Sequence, residues 1–307
     1  MIVSLGEALI DRVQDPQSAT DQIRVGGSPF NVAIALSRLG LKAGLLCPIS
    51  QDPYGQLLAE ALEENGVLRC VEERVTAPTA VAEVSTDSKG HPSYRFFRGE
   101  TADRDVQQNP PKQSLPINIK ALHFGSLVLA QEADWPLWRE AINTARSRGA
   151  FIAFDPNLRV PLIDDMDHYR LRLEEALSFA DLIKASDEDL ALLYPGCVPA
   201  SEIQKWRDGE RTIVLTEGSR GAQIWLQNGS HIQCPPNHTG PIVDTVGAGD
   251  TFQAALLVWL YEHRLLGAPL NETQARQMMA FANAAARLNC ERPGCQPPMR
   301  EELALRL

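Results

Sequence analysis

Along most of this chain, short apolar runs alternate with stretches whose apolar residues recur every three or four positions. Ile2-Val3-Ser4-Leu5 stops at Gly6 and reads as a buried first strand. Residues 43–49 read as the next strand, and others are predicted at 120–124, 151–155, 181–185 and 211–215. Helical spacing is found at 54–64, 132–147 and 167–179, and Asn271 caps an Ala-rich helix that runs through Leu288. Such alternation predicts parallel strands joined by helical crossovers: a three-layer α/β/α sandwich with a mostly parallel central sheet.

The period changes once. From Leu68 to Phe97 the residues alternate as strands do, with Ala80–Ser85 and Ser93–Phe97 flanking the turn-like Asp87-Ser88-Lys89-Gly90. This predicts a small β-strand lid built from about 68–103, with about 11–25 contributing, on a single domain spanning 1–307. Phe96 and Arg98 are its ligand-facing candidates, and Phe96 could equally pack into the lid's own core. A Pro-rich link at 109–116 returns the chain to the main pattern, and a further β region spans 221–234.

Two glycine motifs stand near opposite ends. Gly26-Gly27-Ser28-Pro29-Phe30-Asn31 opens a helix, with Ser28 as the expected N-cap and Pro29 in the first helical position. Val32, Ala35, Leu36 and Leu39 share one face, and Gly40 ends the helix. Asp244-Thr245-Val246-Gly247-Ala248-Gly249-Asp250-Thr251-Phe252 leads into the apolar run 253–261. Glycines there let successive N–H groups share one concavity, and the free N–H groups of a helix start add to it, which suits phosphate. Asp250 sits within that anion site, either as a dipole-favoured first-turn residue or as a carboxylate that takes a proton from an attacking hydroxyl. Glu7 and Asp11 follow the first strand, where open α/β sheets bind ligands, although either could be a solvated loop charge.

Composition narrows the chemistry. The 307 residues are 44% hydrophobic and 22% charged, with ample material for a core. The net charge of −10 argues against nucleic acid as a partner. No apolar run reaches the ~20 residues of a membrane span, and no basic start precedes a long apolar run, which points to the cytoplasm. Cys47, Cys70, Cys197, Cys234, Cys290 and Cys295 are scattered, as reduced thiols are. There is no Gly-Lys dipeptide for a G-x-x-x-x-G-K-[ST] phosphate loop, no His-Arg-Asp loop, no dinucleotide fingerprint, no zinc cluster and no G-x-S-x-G elbow.

Together, Gly26–Gly40 and Asp244–Asp250 resemble the two signatures of the ribokinase-like (PfkB-type) carbohydrate kinases, in the expected order and at the expected ends. The resemblance covers essentially the whole chain and implies ATP as phosphoryl donor and a sugar hydroxyl as acceptor. It implies Asp250 as base, with Gly247, Ala248 and Gly249 as the anion hole. Asp11, Gly27 and Asn31 match sugar-binding positions, and Asn157 and Arg159 match a segment brought toward substrate and phosphate. Lys184, Ser186, Thr216, Gly218, Gly221 and Asn283 fall on nucleotide-site stretches. The family supports Mg2+ through water with a Glu; here Asp189 takes that position and Glu188 precedes it. Asp244, Val246, Asn289 and Gly294 match a loop that binds a monovalent cation, K+, in relatives. The motifs look most like fructokinases, with 2-keto-3-deoxygluconate kinases and ribokinase as alternatives, and a catalytically silent sugar-binding regulator as the non-enzyme alternative. A homodimer through the lid is a further expectation.

Overall fold

The computed structural model describes residues 1–13, 21–86, 92–207, 209–236 and 241–306. Residues 14–20 of the expected lid and its turn at 87–90 lie outside the described residues. In chain order the strands are β1 (Ile2–Leu5), β2 (Leu9–Val13), β3 (Gln22–Gly26), β4 (Ala43–Leu46), β5 (Leu68–Arg69), β6 (Ala80–Thr86), β7 (Pro92–Phe97), β8 (Ala121–Gly125), β9 (Phe151–Asp155), β10 (Leu182–Ser186), β11 (Thr212–Thr216), β12 (Ala222–Trp225) and β13 (His231–Cys234). The helices are α1 (Ser28–Arg38), α2 (Pro53–Glu64), α3 (Pro111–Ser114), α4 (Trp135–Ser147), α5 (Met166–Phe179), α6 (Asp187–Leu193), α7 (Pro199–Trp206), α8 (Ala248–Glu262), α9 (Glu272–Cys290) and α10 (Arg300–Ala304).

Among the described residues, nine strands form one sheet in the order β13-β12-β11-β10-β9-β8-β1-β4-β5. The seven strands from β11 to β5 run parallel, and β12 and β13 add an antiparallel edge. Alternate residues face opposite layers. Ile2, Ala121, Ala153, Leu182 and Val214 pack with the apolar faces of α1, α2, α8 and α9. Val3, Leu5, Leu122, Phe124, Ile152 and Phe154 pack on the other side with α4, α5, α6 and α7. The three-layer sandwich predicted from the alternation is therefore present. The strand expected over 43–49 stops at Leu46, two residues before Pro48, which has no N–H to give a ladder.

The second sheet has four strands in the order β3-β2-β6-β7. It is mixed: β2 pairs antiparallel with β3 and parallel with β6, and β6 pairs antiparallel with β7. Leu9, Ala80 and Ala82 from this sheet meet Leu127 and Ala130 of the main body, with Phe96 and Leu162 packed against them.

Two local expectations are corrected. The N-cap of α1 is Gly27, with φ 103°, and Ser28 is the first helical residue. The Arg98 side chain, expected to face a ligand, is instead turned onto a buried acid. It is 2% exposed and paired with Asp103 (0% exposed), Nε to Oδ2, at 2.5 Å, while Thr101 donates to the other Asp103 oxygen at 2.6 Å. Removing one member of such a pair leaves a buried charge uncompensated, which costs about 3–5 kcal/mol. Arg98→Ala is therefore expected to lower the thermal midpoint by roughly 5–15 °C. A calorimetric scan that leaves the midpoint unmoved would contradict this burial.

Candidate active site

The parallel strands β1, β8, β9, β10 and β11 all end at one edge of the sheet, and Glu7, Asp155, Ser186 and Thr216 lie there. α1 and α8 begin at this edge with their first turns facing each other. Asp250, in the first turn of α8, is buried. Ser28 donates its hydroxyl to Asp250 Oδ1 at 2.7 Å, and Asn31 donates Nδ2 to Oδ2 at 2.8 Å. Asn157 approaches Oδ1 at 3.5 Å. Its backbone is left-handed (φ 38°), and its own Oδ1 accepts Arg159 Nη1 at 2.7 Å.

Burial pushes the Asp250 carboxyl above its ordinary value; the Ser28 and Asn31 bonds and the charges of Arg159 and Lys184 act against that rise. Lys184 is buried and pairs with Asp155 at 2.7 Å. Its Nζ lies 3.5 Å from where a Cβ on Gly249 would stand, so a fixed ammonium flanks the glycine loop. Gly247 takes the left-handed φ of 73° as the N-cap of α8, and any side chain there would collide with Cys295. Within the loop the Ala248 N–H is taken by the Thr245 carbonyl at 3.2 Å. The N–H groups of Gly249 and Asp250 are those that a helix start leaves without intrahelical acceptors. The result is a positive, partly exposed helix start beside a buried carboxylate.

Asp11 lies in β2 directly opposite Arg24 of β3. A Cβ on Gly26 would stand 2.5 Å from Asp11 Oδ2, and one on Gly27 would stand 2.8 Å from the Glu7 carbonyl, so both glycines admit close approach. Burial raises Asp11 from 3.8 to about 6, Arg159 and Arg24 pull it down, and Asp250 adds to the rise. Asp11, Asn31, Asn157, Arg159, Lys184 and the loop 247–249 thus surround or electrically act on one carboxylate, and Gly27 caps the helix that carries Asn31.

Other candidates are placed differently. Phe96 packs over the Leu9 cluster beside Leu162, and Arg98 is held by Asp103. Asp189 Oδ1 accepts the Leu158 N–H at 2.7 Å, and Oδ2 accepts both the Ser186 N–H (3.1 Å) and its hydroxyl (2.6 Å). It closes a capping box at α6, with three of its roughly four acceptor sites occupied, while Glu188 is exposed. No three His, Cys, Asp or Glu among the described residues could hold a metal ion together. Asp244 accepts the N–H groups of Val246 (3.0 Å) and Gly294 (2.8 Å), lies 3.5 Å from Arg24, and shares its loop with Asn289, whose Nδ2 donates to the Val246 carbonyl at 2.8 Å. Thr216, Gly218 and Gly221 line the turn from β11 to β12, and Asn283 on α9 donates to the Pro235 carbonyl at 3.3 Å. Sequence reasoning missed Ser28, which looked like a cap because a Pro follows it, and left Glu7 and Asp155 without roles.

An α/β sandwich whose main sheet has nine strands among the described residues, with a second small sheet and an acid–glycine helix start at the strand ends, is the architecture of a phosphoryl-transfer enzyme of the carbohydrate-kinase class, as the comparisons with known proteins show. The description "pfkB family carbohydrate kinase" matches residues 1–302, and the chain belongs to that family. A probable fructokinase-4 from Arabidopsis thaliana is 31% identical over 98% of this chain and 94% of its own. A fructokinase from Xylella fastidiosa, solved with bound ATP, superposes with a TM-score of 0.87 at 26% identity, covering 99% of this chain and 97% of that one. An uncharacterized sugar kinase from Pyrococcus horikoshii gives 0.79 at 28% identity, covering 99% and 96%. The protein is a carbohydrate kinase. No helix among the described residues is long and apolar enough to cross a membrane.

The raised Asp11 carboxyl has a consequence for the ligand-free protein. The unfolded chain gives up this proton first as pH rises, so the folded state loses stability between about pH 4 and 6 and does not regain it at neutral pH. Asp11→Asn is expected to be more stable than the native chain at pH 7.5 by roughly 1–3 kcal/mol, with the gain vanishing toward pH 4. Urea titrations at both pH values check this; a destabilised variant at pH 7.5 contradicts it.

Proposed function

We propose that the protein transfers the γ-phosphoryl group of ATP to a hydroxyl of fructose, forming fructose 6-phosphate and ADP. The observation that carries this reading is Asp250, whose buried carboxylate is gripped from the α1 side by Ser28 and Asn31 and stands at the positive start of α8 beside Lys184. Asp250 takes the proton of the attacking hydroxyl, whose oxygen then bonds the γ-phosphorus as the bond to ADP breaks. Gly249 N–H, the helix start and Lys184 stabilise the charge on the transferring group, with Gly247 and Ala248 shaping the loop. Arg159, fixed over Asn157, adds a cation near the same point.

Asp11, Gly27, Asn31 and Asn157 form the sugar side, and Asp11 accepts hydrogen bonds from hydroxyls. The nucleotide lies toward Lys184, Ser186, Thr216, Gly218, Gly221 and Asn283 along the β10–β12 strand ends. Mg2+ bound with the nucleotide would neutralise charge on its phosphates, with Asp189 or Glu188 supporting it through water, and Asp189 also fixes the backbone of Leu158 and Ser186. The loop of Asp244, Val246, Asn289 and Gly294 would hold a K+-sized cation, which would add positive charge near the start of α8. The chain 1–307 acts as one kinase domain, with the small sheet, 11–25 and 68–103, as a lid that excludes water. Exposed Ile23 and Phe97 on that sheet suit pairing with a second copy. The setting is the cytoplasm. Fructose is favoured over other sugars by the names of the curated relatives.

Coupled ADP release with fructose, ribose and 2-keto-3-deoxygluconate tests the acceptor: fructose is expected to give the highest kcat/KM, and a preference for ketodeoxygluconate reassigns it. Asp250→Asn keeps the shape of the side chain and is expected to lower kcat by roughly 10²–10⁴-fold while sugar and ATP still bind. Near-native turnover in that variant would remove Asp250 from the chemistry. Calorimetric sugar binding without any ADP release from the native chain would support a silent binder.

A further inference from the structure

Away from the groups assigned to the reaction, a concentration of buried charge lies where the small sheet joins the main body. Glu7 follows β1 and is 2% exposed. Its Oε1 accepts the Ser28 N–H at 3.2 Å, and its Oε2 accepts the Leu127 N–H at 3.3 Å. One side chain therefore ties the first turn of α1 to the segment after β8. Both bonds come from N–H donors, so both Glu7 oxygens act as acceptors. Burial pushes the Glu7 carboxyl up; the Ser126 hydrogen bond and the positive charge of Arg98 oppose that, and Asp103 adds to it.

Arg98 comes directly after β7, the last strand of the small sheet. Its Nε is bound to Asp103, and its Nη1 is buried with no hydrogen-bond partner. Burial pushes the Cys47 thiol up, and the charges of Asp103 and Glu7 add to that while Arg98 opposes it. Two acids thus share the field of one guanidinium in a setting closed to water.

Ser28 is where this volume meets the reaction. Its N–H is held by Glu7, and its hydroxyl is one of the two direct donors to Asp250, at 2.7 Å. We propose that Glu7 is a positioning residue that fixes Ser28 and through it the carboxylate of Asp250, with Arg98 of the buried Arg98–Asp103 pair as its cation. The inference rests on Asp250 being the base. It gives the buried Arg98 a task that contact with the sugar does not supply, and it makes the alignment of the base depend on where β7 ends.

Steady-state kinetics of the full chain on fructose and ATP test this. Glu7→Gln replaces an acceptor with an NH2 group and is expected to lower kcat by roughly 10- to 100-fold, with the KM for both substrates within about twofold. Ser28→Ala should fall in the same range, and Glu7→Gln with Ser28→Ala should be no worse than the poorer single variant, because both act through one hydrogen bond. Arg98→Lys, which keeps the charge, should retain more kcat than Arg98→Met. Unchanged kcat in folded Glu7→Gln, a multiplicative loss in the double variant, or a higher sugar KM at constant kcat in Arg98→Lys each overturn the proposal; the last makes Arg98 a sugar ligand. If Glu7→Gln does not fold, the cycle of Arg98→Lys with Ser28→Ala decides by the same criterion. Native enzyme that turns over none of the sugars removes the kinase reading and this one together, whereas active native enzyme with indifferent variants removes this one alone.

Discussion

Burying a carboxyl group at the head of a helix is unfavourable unless each oxygen finds a partner, and Asp250 finds its donors far away in sequence. Ser28 and Asn31 stand 222 and 219 positions from it. For those bonds to form, α1 and α8 must lie side by side on one face of the sheet, which requires β1, β4 and β8 through β11 to be in register beneath them. The contact between the two glycine motifs is therefore a readout of the whole fold. A chain that had mispaired any of these strands would have an unsatisfied acid in its core.

The same site is built against its own stability. Burial raises Asp11, Asp155 and Asp250 alike, and Lys184 and Arg159 offset the rise only in part. Three acids gathered at one sheet edge, in a chain of net charge −10, repel one another until cations or hydrogen-bonding ligands arrive. Site geometry that favours a bound state often does so by leaving the empty state less stable.

How much of this could be read beforehand depended on whether the controlling physics was local. Strand and helix alternation was legible because burial imposes periods of two and 3.6 on the sequence, and nearly every predicted element appears within a few residues. The glycine motifs were legible because Gly27 and Gly247 take φ of 103° and 73°, which other residues avoid. Ser28 was misread because a serine before proline usually caps a helix, and only the cap at Gly27 frees its hydroxyl for Asp250. Arg98 was misread because its partner, five residues on, is visible in the sequence but the burial of the pair is not. Asp189 matched a motif position, yet both its oxygens are taken by backbone and serine donors that no spacing reveals. Sheet order, with β1 between β8 and β4, lies beyond periodicity altogether.

The join between the two sheets is short. β1 ends at Leu5 and β2 begins at Leu9, so at this crossing three residues, 6–8, lead from the main sheet into the small one, with Gly6 at φ 140°. Asp11 is the third residue past that join, whereas β6 runs seven residues, about 20 Å, outward from Ala80. A ligand held by Asp11 therefore pushes near the fulcrum of a lever whose far arm is several times longer. Small movements at the carboxylate become large ones at the tip, and force applied at the tip is felt at the carboxylate with leverage in its favour. Crowding or pairing at the outer end of this sheet would act on Asp11 through mechanics alone, without touching it.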